Sequence, residues 1–237
     1  MGKDTKIEWC DHTFNSWHWS EPLKWDAAAK EAGERHRVFC ASMADVFEDR
    51  DDLLPHRERL WNLIRETPNL DWLLLTKRPE NISRMIPAFW NVFAPSNVWY
   101  GTTAGDQDGY DKRILHLLKV PACIRFLSCE PLLSGIDIGL GRLMYNDVTL
   151  APRLSDHLQW VICGGESGAG AREMDLAWAR SIRDQCKAAG VAFFMKQLGE
   201  RIREGAWTMK QSSKTMGDIE TFPPGLQVRE FPNAVSA

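Results

Sequence analysis

No run in the 237-residue chain approaches the roughly 18 uninterrupted apolar residues of a membrane span. The opening stretch "MGKDTKIEWC" also lacks the apolar core of a secretory signal. The sequence therefore predicts a cytoplasmic protein with no membrane partner. Charge of one sign is scarce: 29 lysines and arginines stand against 32 aspartates and glutamates, a formal net charge of -3. That balance excludes a chain-wide nucleic-acid signature and leaves only a local patch for such a role. There is no C-x-x-C pair. The six cysteines, Cys10, Cys40, Cys123, Cys129, Cys163 and Cys186, are scattered, and a chain that can bury a large core needs no disulfide staples, so they read as reduced thiols. P-loop, G-x-G-x-x-G fingerprint and metal-ligand spacing are all missing. No Ser-His-Asp or Cys-His arrangement can be assembled, because the six histidines fall in loops or on helix faces.

What the chain does contain, from residue 36 onward, is a rhythm of short apolar runs that end in polar residues and give way to helical segments. The runs are "RVFCAS" (37–42), "WLLLT" (72–76), "VWYGTT" (98–103), "IRFLS" (124–128), "WVICGG" (160–165) and "VAFFMK" (191–196). They are apolar at successive positions rather than alternating, as strands covered on both faces should be. Parallel strands follow. Between them Leu60, Trp61 and Ile64 form one helical stripe, and Pro79 opens a second that carries Ile82, Met85, Ile86 and Phe89. Ile114, Leu117 and Leu118 mark a third. A fourth runs from Asp175, an N-cap, through Trp178, Ile182 and Cys186 to Gly190. The predicted class is α/β, with either an open doubly wound sheet or a barrel. One domain is expected over residues 1–200, with 201–237 as an edge extension. Residues 133–158 read as a long excursion between two strands.

In such a protein functional groups collect at the carboxyl ends of the strands. Here those ends present Ser42 and Asp45; Lys77 and Arg78; Thr102, Thr103 and Asp106; Glu130; Gly164, Gly165, Glu166 and Ser167; and Lys196 and Gln197. In "GGESGAGAR" (164–172) two glycines after a buried strand let a ligand approach the backbone, and Glu166 could hold an amine or a ribose. The bland reading is a tight turn. In "LLTKRPE" (74–80) two cations suit a phosphate, carboxylate or nucleotide. The bland reading is a solvated pair before a helix. Cys40, Cys129 and Cys163 lie near strand ends and in a closed barrel would share a mouth, where three thiolates could hold a metal or cluster. Without close spacing, buried core thiols are the favoured reading.

The segment "TFNSWHWSEPLKW" (13–25) crowds three tryptophans and a phenylalanine without helical or strand period. It reads as a loop.

The ordered series "RVFCASMADVFED", "DWLLLTKRPENI", "NVWYGTTAGDQ", "IRFLSCEPLL", "WVICGGESGAGAR" and "FFMKQLGE" resembles the uncharacterised phage and prophage Gp thirty-seven/Gp sixty-eight protein family over most of residues 5–200. The resemblance implies a partial or complete TIM-like barrel related to radical S-adenosylmethionine enzymes. It also implies a loop of three close cysteines that ligates a [4Fe–4S] cluster. Here "IEWCDHTFNSW" runs straight into "HWSEPLKW", so that loop looks absent between about residues 17 and 19, leaving Cys10 alone. A cluster held by three or four thiolates cannot rest on one.

Two readings follow. In one the chain is a radical-S-adenosylmethionine-like enzyme scaffold that has lost its cluster and acts on or binds a nucleotide or nucleic acid, with S-adenosylmethionine as the expected ligand. In the other it is a non-catalytic ligand- or partner-binding module derived from that barrel.

Overall fold

The computed structural model describes residues 5–7, 16–40, 44–139, 154–211 and 216–233. They group into two compact units, one holding the chain through Thr102 together with Lys119–Cys123, the other holding Thr103–Leu118 and the chain from Ile124 on. Parallel strands interleaved with helices build both, the α/β class that the apolar runs predict.

In the first unit β1 (Thr5–Ile7), β2 (His36–Cys40), β3 (Leu70–Thr76) and β4 (Val98–Thr103) lie side by side in that order, all parallel. Only the last residue of β4 falls in the second unit. The central strands are apolar at consecutive positions because both faces are covered. Val38, Leu70, Trp72, Leu74, Val98 and Tyr100 are fully buried. Helix α2 (Leu54–Glu66) buries Leu60, Trp61 and Ile64, as its stripe predicts. Phe47 stacks on Trp61 at 6.1 Å, and Trp61 meets Trp90 edge-on at 5.3 Å.

Two sequence expectations need correcting here. The segment read as a loop belongs, from Ser16 on, to helix α1 (Ser16–Ala32), which continues through Pro22. Long-range contacts hold it where local pattern gives no support. Asp26 accepts hydrogen bonds from the Asn69 backbone N–H (2.7 Å) and side-chain amide (3.1 Å), and Arg59 lies over the Trp19 ring at 4.5 Å. The single helix expected after Pro79 is instead a 3₁₀ turn (Pro79–Asn81), one α-turn, α3 (Ile82–Met85), and a second 3₁₀ turn (Ala88–Asn91). Pro87 breaks it, because the residue before a proline is driven out of the helical region and Ile86 is extended at ψ 161°.

In the second unit α4 (Gln107–Leu118) precedes β5 (Ile124–Cys129), and β5, β6 (Trp160–Gly164) and β8 (Ala192–Gln197) run parallel in that spatial order. Before β8 come β7 (Met174–Asp175) and α5 (Leu176–Ala189). The Asp175 side chain caps α5 by accepting from the Ala177 N–H at 2.8 Å, and Gly190 ends the helix in the left-handed conformation at φ 69°. Both ends stand where the sequence puts them. The tail has strands of its own. It forms the hairpin β9 (Arg201–Glu204) and β10 (Trp207–Lys210), which joins β7 in a three-stranded sheet ordered β10-β9-β7. Its end then returns to bridge Phe194 through Arg229, and Phe231 packs on Trp160 and Phe194 at 5.4 and 5.2 Å. Among the described residues no helix is long and apolar enough to cross a membrane.

One buried polar link in the first unit gives a direct stability test. Trp72 donates its indole N–H to the Thr67 hydroxyl at 3.0 Å, and that hydroxyl donates to the Leu63 carbonyl at 2.7 Å. Both residues are fully buried. Thr67→Val keeps the shape and strands the indole donor, so it should lower unfolding free energy by about 1–3 kcal/mol. Thr67→Ser, which keeps the acceptor, should lose less. Denaturant unfolding of the three proteins checks the order.

Candidate functional site

The strand ends of the second unit meet at one carboxylate. Glu130 follows β5 and accepts a hydrogen bond from Lys196 Nζ at Oε2 (2.7 Å) and from the Gln197 amide at Oε1 (2.9 Å). Adjacent residues of a regular strand point to opposite faces, so Lys196 and Gln197 could not share a partner on an ideal β8. The register supplies the reason. Cys163 pairs with Met195 and Gly164 with Gln197, leaving Lys196 as an extra residue in a β-bulge. A bulge re-aims side chains locally, and this one turns both toward Glu130. The Lys196 side chain is 42% exposed and the Glu130 side chain 17%. The result is a half-open charged pair over buried strands.

The two glycines of β6's end make this arrangement possible, but their space is taken by the chain itself. A β-carbon on Gly164 would stand 3.1 Å from the Glu130 carboxylate. One on Gly165 would overlap the carbonyl oxygen of Leu198, and one on Gly199, which has φ +82°, would come within 2.7 Å of the Gly165 carbonyl carbon. Gly165 thus lets two chain segments cross, with its own N–H donating to Gln197 O at 3.1 Å and its carbonyl accepting from the Gln197 amide at 3.0 Å. The approach expected for a ligand is made by residues 198–199.

Glu166 is likewise engaged. Its carboxylate takes the Arg172 guanidinium in a two-point clasp (2.8 and 2.7 Å) and the Arg172 backbone N–H at 2.8 Å, closing the loop 166–172. The side-chain and backbone hydrogen bonds of Arg172 hold its pKa down to about 2. Ser167 lies exposed on the same loop.

A second carboxylate organises the strand ends of the first unit. Asp45 Oδ1 accepts from the Phe47 N–H (3.0 Å) and the Thr76 hydroxyl (2.7 Å), and Oδ2 from the Lys77 N–H (3.1 Å) and Arg78 Nη1 (2.9 Å). Arg78 also reaches Glu48 at 3.3 Å. Buried Arg57 donates to the carbonyls of Val46, Glu48 and Arg50, and Thr102 donates its hydroxyl to Thr76 O at 2.8 Å. The sequence pairs Lys77 with Arg78 as cations for an anion. In the structure Arg78 braces the Asp45 loop, and Lys77 contributes its backbone N–H. Asp106 caps α4 by accepting from the Gly109 N–H at 2.7 Å, and the Thr103 carbonyl accepts from Arg113 at 3.1 Å. Ser42 and Cys10 lie outside the described residues.

Four of the five described cysteines lie in the core. Cys40, Cys129, Cys163 and Cys186 are fully buried. Cys129 and Cys163 are register partners on β5 and β6. Burial, with the Cys163 thiol nearby, pushes Cys129 far up; burial with Glu130 nearby does the same to Cys163; and Cys186 is pushed up to about 12. Among the described residues no group of three or more His, Cys, Asp or Glu is placed to hold a metal ion.

A cleft of about 990 Å³ opens at the other end of the same strands, lined by Gln159, Lys187, Phe193 and the returning tail. The returning tail engages two of its charged groups. Arg183 donates to Gly225 O at 2.7 Å, and Glu230 accepts from the Phe193 N–H at 3.1 Å. The bulge at Lys196 was not legible in "VAFFMKQ", because nothing in a short apolar run marks where register will slip.

The family described as protein of unknown function (DUF5131) matches residues 17–221, and the chain belongs to that family. No curated protein and no solved structure matches it.

The Glu166 clasp predicts a pH response with a definite sign. The folded pKa of about 2 lies below the usual 4.5, so the clasp contributes stability above about pH 4.5 that fades as pH falls toward 2. A carboxyl NMR titration should place Glu166 near 2 in the parent and close to 4.5 in Arg172→Ala. Protection of the Arg172 amide should fall across this range in the parent and start low in Glu166→Gln.

Proposed function

We propose that this chain is a non-redox binding protein on a scaffold related to radical S-adenosylmethionine barrels. In this reading it holds a small zwitterionic or nucleotide-like ligand, S-adenosylmethionine among the candidates, at the carboxyl ends of β5, β6 and β8. The observation that carries the reading is the bulge at Lys196. It places a half-exposed ammonium, an amide and a carboxylate together at the edge where parallel sheets present ligands. Glu130 suits an amine and Lys196 a carboxylate or phosphate. Each can release the other to a ligand bearing both charges. The resemblance to phage and prophage proteins supports that origin. It also supports a nucleotide or nucleic acid as the biological target, with the local charge of the Glu130 site, rather than net charge, doing the recognition.

The cluster chemistry of the resembling family has no ligand set in the described residues: four buried, scattered thiols and Cys123 do not replace a three-cysteine loop. No reaction step is assigned to it. Anaerobic reconstitution with iron and sulfide should leave the protein colourless and free of stoichiometric iron. A cluster absorption spectrum with matching iron would restore the redox enzyme reading.

The ligand itself is tested by thermal unfolding with S-adenosylmethionine and with adenosine nucleotides. At a hundredfold excess over Kd, mass action adds about 2.7 kcal/mol to the folded state, a rise of roughly 5–10 °C for a chain of this length. Lys196→Ala and Glu130→Gln should each remove the rise while remaining folded by circular dichroism. No shift with any of these ligands in a folded protein overturns this reading in favour of a partner-binding module.

A further inference from the structure

The outer strand of the small sheet stands apart from the groups used above. Among the described residues β10 pairs with β9 alone, and it is exposed at all four positions. Trp207 is 78% exposed and Met209 42%, and strand alternation puts both on one face. The hairpin shows which backbone groups are unused. Glu204 and Trp207 pair across the two-residue turn Gly205–Ala206, and the Gln211 N–H donates to Glu200 O at 2.7 Å. Pairs 204/207, 202/209 and 200/211 therefore exchange the hydrogen bonds. Bonded and non-bonded pairs alternate in an antiparallel ladder, so the N–H and C=O groups of Thr208 and Lys210 turn away from β9 toward the open edge. Native edges are usually blunted by charge, proline or cover. Here Lys210 is the one charge on the strand, and Glu200 binds its ammonium at 3.1 Å.

We propose that β10 is a self-pairing edge through which two copies of the chain join antiparallel, centred on Thr208. A two-fold axis normal to the sheet keeps each face on its own side, so opposed residues must be of equal parity. The outward backbone of Thr208 then makes Thr208 opposite its own counterpart the hydrogen-bonded pair. Trp207 comes to stand against Met209 of the second copy, and the reverse, in the non-bonded pairs where Cα atoms approach to about 4.5 Å. Both exposed apolar side chains are covered by thioether-on-indole contacts. Charge permits the match. Lys210 lies opposite Ala206, and the two Lys210 positions are about 14 Å apart along the strand, beyond a Debye length of about 8 Å. One strand thus satisfies edge backbone, tryptophan and methionine at once, as a self-complementary interface requires. The inference is independent of the ligand reading.

Sedimentation equilibrium of the full chain over a wide concentration range should show the mass rising from one chain to two. Thr208→Pro removes an outward N–H that β9 does not use, and should abolish the rise. The double variant Trp207→Lys, Met209→Lys, at exposed positions that leave the core untouched, should abolish it too. Register is read separately: under mild oxidation Thr208→Cys should form a disulfide-linked dimer, while Lys210→Cys should give no more than the parent. A chain that stays monomeric throughout, a dimer that survives the double lysine variant, or cross-linking of Lys210→Cys equal to that of Thr208→Cys would overturn the proposal.

Discussion

Covering both faces of a parallel sheet pushes most of its polar groups to the strand ends, and the Asp45 and Glu130 clusters answer to that constraint. Strands such as β3 and β6 are buried along nearly their whole length, and the one charge within them, Asp71, is held by Arg35 at 2.7 Å. A carboxylate at a strand end must find donors there or lose its solvation without compensation. Asp45 meets the demand with four donors from its own loop and the end of β3. Glu130 meets it with two, both from β8.

The difference between these carboxylates separates architecture from opportunity. Asp45 is saturated, and its ligands are the backbone and side chains that fix the loop after β2, with Arg57 bracing the same loop from beneath. Glu130 holds an ammonium that is itself half exposed, and a charge-assisted bond open to solvent is exchangeable in a way that a four-donor cage is not. Glu166 falls on the architectural side. Its two-point clasp with Arg172 shapes the loop beyond β6, and the glycines before it serve the crossing of residues 198–199.

The buried thiols follow from the same packing. Cys129 and Cys163 sit side by side in the last apolar turns of adjacent strands, where they behave as small hydrophobic residues. Low polarity there opposes the thiolate, so proximity to the Glu130 rim gives them no reactive character. The Glu130 carboxylate raises Cys163 further rather than activating it.

The amino-acid sequence alone determined the six strands β2 to β6 and β8, three of the helices and the caps of α5, because unbroken apolar runs, helical stripes and an Asp…Gly frame are local patterns written in consecutive residues. It also determined which polar residues stand at strand ends. Three things only the tertiary structure decided. Helix α1 forms across Pro22 on contacts with Asn69 and Arg59, some 40 residues away in sequence. The polar strand ends divide into satisfied braces and one half-open pair according to long-range hydrogen bonding. The bulge at Lys196, which creates that pair, comes from the mismatch in register between β6 and β8. Register and pairing are relations between distant segments, and no single stretch of sequence records them.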